Sequence, residues 1–347
     1  MKYNNSKKYS IRFRVDDKNE PFDLLIKHTN EEWYKAKHSE KTKDEVNCLN
    51  SIKVDSCPYC GSAATIKFGK NKLKVQRYKC NSCGKRFLPL TGTIFDSSKI
   101  PISEWLEFFI HLCEFHSISS SSRDNRNAIT TGSYRLKKIF LVLSDYQKNT
   151  LLKGKVYIDE TFINVEKKNQ IIVNGKKLRG ISRNKIGIAC GVSSNSCFMF
   201  SYNTSKLSIH AVKKYYYPHI DDGCILIHDE EKAHIYLSEN LAKKDFVYNS
   251  LYLKKLSDKE NPLEPINKLH RERKLFLKRH VNFKVGTIQD WLNLFVFIIT
   301  GPTNVYDKFK KLINIALNTK KRLFFRDFIK KWRLNRNCYH PFAFKVF

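Results

Sequence analysis

The sequence predicts a mixed α/β (α+β) fold, and three observations carry that expectation. Four β-rich runs follow one another from residue 155 and give way to helix, strand and helix. Two of the strands finish in an aspartate, Asp159 and Asp229, about 70 residues apart. Upstream, two C-x2-C pairs mark a small module ahead of that core.

The totals set limits on this fold. A chain of 347 residues with 41% apolar content can bury a sizeable core and carry smaller modules beside it. It has 64 Lys and Arg against 33 Asp and Glu, a formal net charge of +31. Such a chain repels itself unless it meets a polyanion, and nucleic acid is the expected one. A membrane is not expected as partner, because the longest apolar run, LNLFVFII at 292–299, is well short of the roughly 20 residues of a spanning helix. The opening MKYNNSKKYSIRFRV lacks the apolar stretch of a signal peptide, so the expected location is cytoplasmic, at the nucleoid, with reduced thiols.

The elements follow in order. Residues 1–50 are charged, with a helix expected in NEEWYKAKHSEKTKDEV. In 51–92, Cys57, Cys60, Cys80 and Cys83 fall as C-x2-C, nineteen residues, C-x2-C. Each CxxC turn aims two thiolates at one point, the intervening length suits a hairpin, and the pattern predicts a structural Zn2+ in a zinc ribbon. Gly61 and Gly84 follow the two knuckles, where tight turns favour them. Lys67, Lys70, Lys72, Lys74, Arg77 and Lys79 crowd the hairpin around Phe68 and Tyr78, a mixture that suits either a phosphate backbone or a solvated face. The remaining cysteines show no ligand spacing and read as small hydrophobes. LPLTGTIFDSSKIP reads as a linker, and 100–147 as a helical, helix-turn-helix-like module: an apolar helix, the polar SSSSRDNRNAIT and a basic amphipathic helix.

The core is expected over 153–301. KVYIDETFINV, NQIIVNGKKLRG, KIGIACGVSS and SCFMFSYNTS read as consecutive antiparallel strands, SIHAVKKYYYPHI as a helix ending near Pro218, and CILIHD as an apolar strand before another helix. A sheet whose neighbouring strands end in acids can bring two carboxylates to one cation. In PINKLHRERKLFLKRH, at roughly 100 degrees per residue, Ile266, Leu269, Phe276 and Leu277 share one face. Asn267, Arg271, Lys274 and Lys278 form a stripe beside it. TIQDWLNLFVFIIT reads as a capped helix closing the core, and 302–347 as a basic, aromatic tail suited to DNA or to a second subunit.

VYIDETFI, LRGISRNKIGIA, ILIHDEEKAH and INKLHRERKLFLKRH, preceded by a CxxC ribbon, resemble the bacterial insertion-sequence transposases with an ISXO-two-like catalytic domain. The resemblance spans about 57–300 and rests on four segments in the right order. It implies an RNase H-like mixed sheet flanked by helices, with an active-site signature of Asp, Asp, Glu or Asn, and Lys. By position these become Asp159, Asp229, Asn267 and Lys274 as catalytic residues, the first three as ligands of Mg2+ or Mn2+. Arg179, Arg183, Arg271, Lys274 and Lys278 become the cations that hold DNA. The implied partners are the element's terminal inverted repeats, target DNA and further copies of the chain. Glu230 departs from the family, which typically has a small residue after the second aspartate.

The residue types fit that chemistry independently. Cutting a phosphodiester and joining a 3'-hydroxyl to a new phosphate need an activated oxygen and a stabilised leaving oxygen, which two Mg2+ ions about 3.5 to 4 Å apart can serve. Mg2+ prefers the hard oxygens of Asp, while Asn267 offers only a neutral carbonyl. Bland roles stand beside each residue: strand-end turns for the aspartates, capping for Asn267, solvation for Lys274. Glu160 and Glu264 are weaker candidates for a third acid, and His228 and His234 flank Asp229 without an evident third ligand. The alternative reading is a DNA-binding protein that keeps this architecture without catalysis. A nuclease that cuts without joining is a third.

Overall fold

A computed structural model describes residues 43–330 apart from 97, 99, 166–169, 179, 181, 203–205 and 281–284. Most of the helix expected at 30–46, the position of Arg179 and the end of the basic tail lie outside the described residues. The chain divides into two compact units, Leu143–Asn304 and the combination of Met1–Val142 with Val305–Phe347.

In the first unit a helix α1 (Lys43–Ser51) precedes a three-stranded antiparallel sheet of β1 (Thr65–Lys70), β2 (Gln76–Cys80) and β3 (Arg86–Phe87), in that order. Its buried cluster among the described residues is Cys57, Cys80 and Phe87, too few side chains to hold a sheet by apolar packing alone. Three helices follow, α2 (Ile102–Cys113), α3 (Ile118–Asp124) and α4 (Ile129–Leu143). The polar stretch between the two expected helices is thus itself a helix, started by Ser117, whose hydroxyl accepts from the Ser120 N–H at 3.1 Å. The expected linker is also more than a linker: Ile94 and Phe95 are buried, Phe95 lies edge-on to Trp105, and Lys138 donates its ammonium to the Ile94 carbonyl.

The second unit is built on a five-stranded sheet. β4 (Lys155–Asn164) is its centre; β7 (Lys185–Val192) and β8 (Cys197–Tyr202) continue it antiparallel on one side. NQIIVNGKKLRG does not join this sheet. It forms a separate exposed hairpin of β5 (Ile172–Val173) and β6 (Lys176–Lys177) turned at Asn174 and Gly175. After α5 (Ile209–Tyr215) the chain crosses to the other side, where β9 (Cys224–Asp229) pairs parallel with β4. After α6 (Ile235–Asn240), β10 (Ala242–Tyr248) adds in parallel at the edge, giving the order β10-β9-β4-β7-β8.

Alternation along β4 divides the unit into layers. Val156 and Ile158 point to one face, where Leu226, Val212, Tyr216 and Leu237 complete a buried cluster with α5 and α6. The odd residues point to the other face. After a short helix α7 (Ser250–Leu253), that face is covered by α8 (Glu264–Arg279) and α9 (Ile288–Thr300), which stops at Gly301 as expected. Thr287 precedes α9 without a side-chain capping bond, so the expected cap is absent. The helix is tied instead from its interior, where Gln147 and Asn293 bond each other at 2.6 Å and Gln147 bonds both backbone groups of Met199 on β8. A further helix, α10 (Val305–Thr319), belongs to the first unit, its Phe309 ring 5.6 Å from that of Phe109 on α2. Beyond it Phe325 and Phe328 close on Tyr134.

Candidate active site

β4 does not end at Asp159 and Glu160 as expected. It runs on for four residues because Thr161, Phe162, Ile163 and Asn164 stay paired with β7. What ends there is the parallel pairing: Tyr157 and Ile227 are its last matched pair, and Asp159 and Asp229 each lie two residues beyond. Two residues is one pleat repeat, so both carboxylates leave the sheet on the face that α8 covers, on neighbouring strands. Both are partly exposed, 26% for Asp159 and 32% for Asp229.

Their charges work against each other. Burial, then the neighbouring charges of Glu160 and Asp229, push the Asp159 carboxyl up to about 7. One Asp159 oxygen accepts the Glu160 N–H at 2.7 Å, and one Asp229 oxygen accepts the Glu231 N–H at 3.2 Å. An Asp159 carboxyl that is costly to ionise beside Asp229, with both side chains directed to the same face, is a donor set that a hard dication satisfies.

Glu160 points to the opposite face, as alternation predicts. There it accepts from the Tyr216 hydroxyl and lies 2.9 Å from Nε2 of the fully buried His234, whose Nδ1 is 3.9 Å from Asp229. Burial pushes the Glu160 carboxyl up, but the His234 charge and these hydrogen bonds outweigh it and hold the group ionised. His234 is correspondingly raised despite burial, by Glu160. The two form a buried ion pair beneath the aspartates. His228 has its Nε2 3.1 Å from Asp245, so in the trio His228, Asp229 and His234, whose ligand atoms lie within 4.8 Å of one another, each imidazole has one nitrogen on a carboxylate, and His234 Nδ1 has no hydrogen-bond partner.

Across the face, α8 runs as the periodicity predicts, with Ile266, Leu269, Phe276 and Leu277 buried. Pro265 stands in its first turn. From α8 a residue that the sequence did not single out approaches Asp159: His270, buried, with Nδ1 3.6 Å from Asp159 Oδ2. Burial, then Arg273 and Lys274, push His270 down to about 3, so the imidazole is neutral. Arg273, also buried, donates to the Thr161 hydroxyl at 3.0 Å and fixes the helix to β4. Asn267 stands half-buried one turn before His270, and Lys274 exposed one turn after it, so these three share a stripe. The one available signal for His270 was its place three residues after Asn267.

The expected cationic residues separate into two groups. Arg183, Lys274 and Lys278 are exposed. Arg271 is turned to Glu264, at 2.7 Å, and to Asp258. Glu264 therefore pairs with Arg271, away from the aspartates. Glu230 points to Asn249 at 2.7 Å, so its bulk stays out of the site.

In the other unit the four cysteines converge as their spacing predicts. Cys57 and Cys83 sulfurs are 3.7 Å apart, Cys60 and Cys80 3.6 Å. Both knuckles turn alike: Gly61 N–H donates to Cys57 and Gly84 N–H to Cys80, each at 2.9 Å, with φ of 76° and 70°. Those angles are left-handed, which is why glycine stands there. Four sulfurs at this spacing can hold one tetrahedral metal ion.

No family model matches the chain. It is 28% identical over 129 residues to an uncharacterized protein in the transposable element ISH50 of Halobacterium salinarum, covering 36% of this chain and 42% of that protein. The match thus spans less than half of the relative. Among solved structures, a pre-cleavage Mos1 transpososome aligns at 11% identity with a TM-score of 0.24, over 60% of this chain and 75% of the other. The Mos1 strand transfer complex aligns at 12% identity with a TM-score of 0.25, over 88% and 89%. No described helix is long and apolar enough to cross a membrane.

Proposed function

We propose that this chain is a DNA transposase of the ISXO-two-like kind, which binds the ends of its own element and carries out metal-dependent strand cleavage and strand transfer. The observation that carries the reading is the pair Asp159 and Asp229, at one register level on adjacent parallel strands and on one face. The strand order, with a three-stranded antiparallel meander and two parallel additions beside the first strand, agrees with an RNase H-like core. The similarity to a transposable-element protein adds to it.

In this reading Asp159 and Asp229 hold the catalytic Mg2+ or Mn2+, with the Asn267 carbonyl as a neutral third donor. The bound ions supply activation of the attacking oxygen and stabilisation of the leaving one. The chain's own residues do the rest. The Glu160–His234 ion pair ties β4 to the short helical turn that follows β9 and keeps the Glu160 charge away from the substrate face. Neutral His270 lines the Asp159 side of the site without adding a charge that would repel the metal. Exposed Lys274 stands where it can hold a phosphate of the strand being cut, and Lys278 and Arg183 extend the cationic path. Arg271 contributes after exchanging Glu264 for phosphate. The Cys57, Cys60, Cys80 and Cys83 cluster is a zinc ribbon whose ion is structural, since four thiolates leave no open position.

The test is a cleavage and joining assay on DNA carrying the element's terminal inverted repeats, with Mg2+ or Mn2+. Nicking at the 3' ends followed by joining to target DNA is expected. Binding without cutting would assign the chain to the non-catalytic reading, and cutting without joining to a nuclease.

A further inference from the structure

We infer a second transition-metal site, in the helical module, formed by His111, His116 and Asp124. It is independent of the proposed transposase activity. One ligand atom from each of the three side chains lies within 4.8 Å of the others.

The backbone brings them together by a defined turn. Helix α2 ends with Phe115 in the left-handed region at φ 59°, the His116 N–H bonded to the His111 carbonyl at 2.9 Å and the Phe115 N–H to the Leu112 carbonyl at 3.1 Å. This double bond pattern is a Schellman closure, which usually employs glycine at the position Phe115 occupies. The closure folds His116 back over His111, and their rings stack with centroids 5.1 Å apart and planes 25° from parallel. Ser117 then starts α3, and Asp124 in its last turn faces back to the pair.

The ring nitrogens point to a ligand. Nδ1 of His111 and Nδ1 of His116 are both buried without a hydrogen-bond partner. Two such nitrogens on adjacent rings are expensive to bury empty-handed, and a cation between them and a carboxylate would satisfy both. The other nitrogen of His116, Nε2, lies 3.6 Å from the Glu114 carboxylate, on the side where metal-binding imidazoles commonly have an acidic neighbour. Asp124 has one oxygen on the Ser120 hydroxyl at 3.3 Å, leaving the other oxygen for the ion. Two imidazoles and one carboxylate suit Zn2+, leaving one coordination position for water. The ion would tie the end of α2 to the end of α3 and fix the turn that sets their angle.

The experiment measures zinc per chain in the full-length protein, loaded with Zn2+ and desalted, by elemental analysis. The wild type is expected to hold one equivalent more than His111→Asn/His116→Asn. Asp124→Asn, at a half-buried helix end where the fold should persist, is expected to weaken binding of that equivalent at least tenfold while leaving the circular dichroism spectrum unchanged. Equal zinc content and equal affinity in the wild type and in Asp124→Asn would overturn the assignment and leave only a stacked histidine pair. The Cys57→Ser/Cys60→Ser variant separates the two sites: the histidine-bound equivalent should survive in it, and its loss together with the thiolate-bound one would also overturn the proposal.

Discussion

At the scale of single residues the site turns on Asp159. With its carboxyl raised to about 7 by burial and by the charges of Glu160 and Asp229, the metal-free protein keeps a proton there that an isolated aspartate would have lost. For a raised acid, the stabilising neutral form is fully present below the unfolded value and is lost as pH rises through about 7. Metal-free wild type should therefore lose stability between pH 5 and 8 relative to Asp159→Asn. The loss is at most about 1.4 kcal/mol per pH unit, reduced by solvent screening at a partly exposed carboxyl. Melting curves in EDTA across that range check the sign, and a wild type that gains on the variant as pH rises would refute the electrostatic account. Mg2+ should restore more stability at pH 8 than at pH 5, because at low pH it competes with the proton. For function, Asp159→Asn and Asp229→Asn should each abolish cleavage and joining, by at least about a thousandfold given the size of a charge-stabilising contribution at such a centre. Their affinity for DNA should change by less than about twofold, since neither faces a phosphate without the metal. Gel assays of binding and strand transfer on the same preparations distinguish these outcomes.

At the scale of elements, the sheet beside Asp159 depends on close packing over two glycines of β7. A Cβ on Gly187 would stand 2.1 Å from the Tyr202 ring, and one on Gly191 2.5 Å from Phe198 and 3.0 Å from Leu152. Those rings are buried and cannot swing into solvent. Gly187→Ala and Gly191→Ala should each cost about 1–3 kcal/mol by overpacking, read as a lower urea midpoint. Gly191 pairs with Ile158, next to Asp159, so its variant should also lose metal affinity. Much of this layer was legible in the sequence. The apolar spacing of α8 marked its buried face, and CILIHD marked β9. What was not legible has physical causes. β10 carries Lys243, Lys244 and Asp245, a charged run that reads as loop, yet at a sheet edge charges are what keep a strand from pairing further. Ile94 and Phe95 sit among Thr, Gly and Ser that signal a linker, and only the tertiary fold shows them covered. The stripe read from the sequence had Arg271 where the structure puts His270 toward Asp159, because a wheel of side chains does not say which of two neighbours approaches the sheet.

At the scale of the whole molecule, the net charge of +31 is the largest feature and the carboxylate site its exception. If the chain acts on DNA as proposed, such a charge would bind it mainly by releasing counterions, and affinity should fall steeply with salt. If six or more phosphates are engaged, binding to a random duplex should weaken by roughly a thousandfold or more between 50 and 200 mM salt. Fluorescence anisotropy titrations over that range measure the slope. Neutralising one exposed cation, as in Lys278→Gln, should make the slope shallower by about one unit at most and weaken all sequences alike. Arg271→Gln should alter it less at first contact, because its guanidinium already holds Glu264 at 2.7 Å. A slope near zero would mean that the positive charge serves something other than the DNA backbone. Both aspartate variants should keep the full slope, so that salt dependence and catalysis vary independently. That separation would follow from the proposed arrangement: cations spread along the chain, Lys274 and Lys278 on α8 among them, would draw in the polyanion, and the paired carboxylates on the sheet beneath α8 would hold the dication.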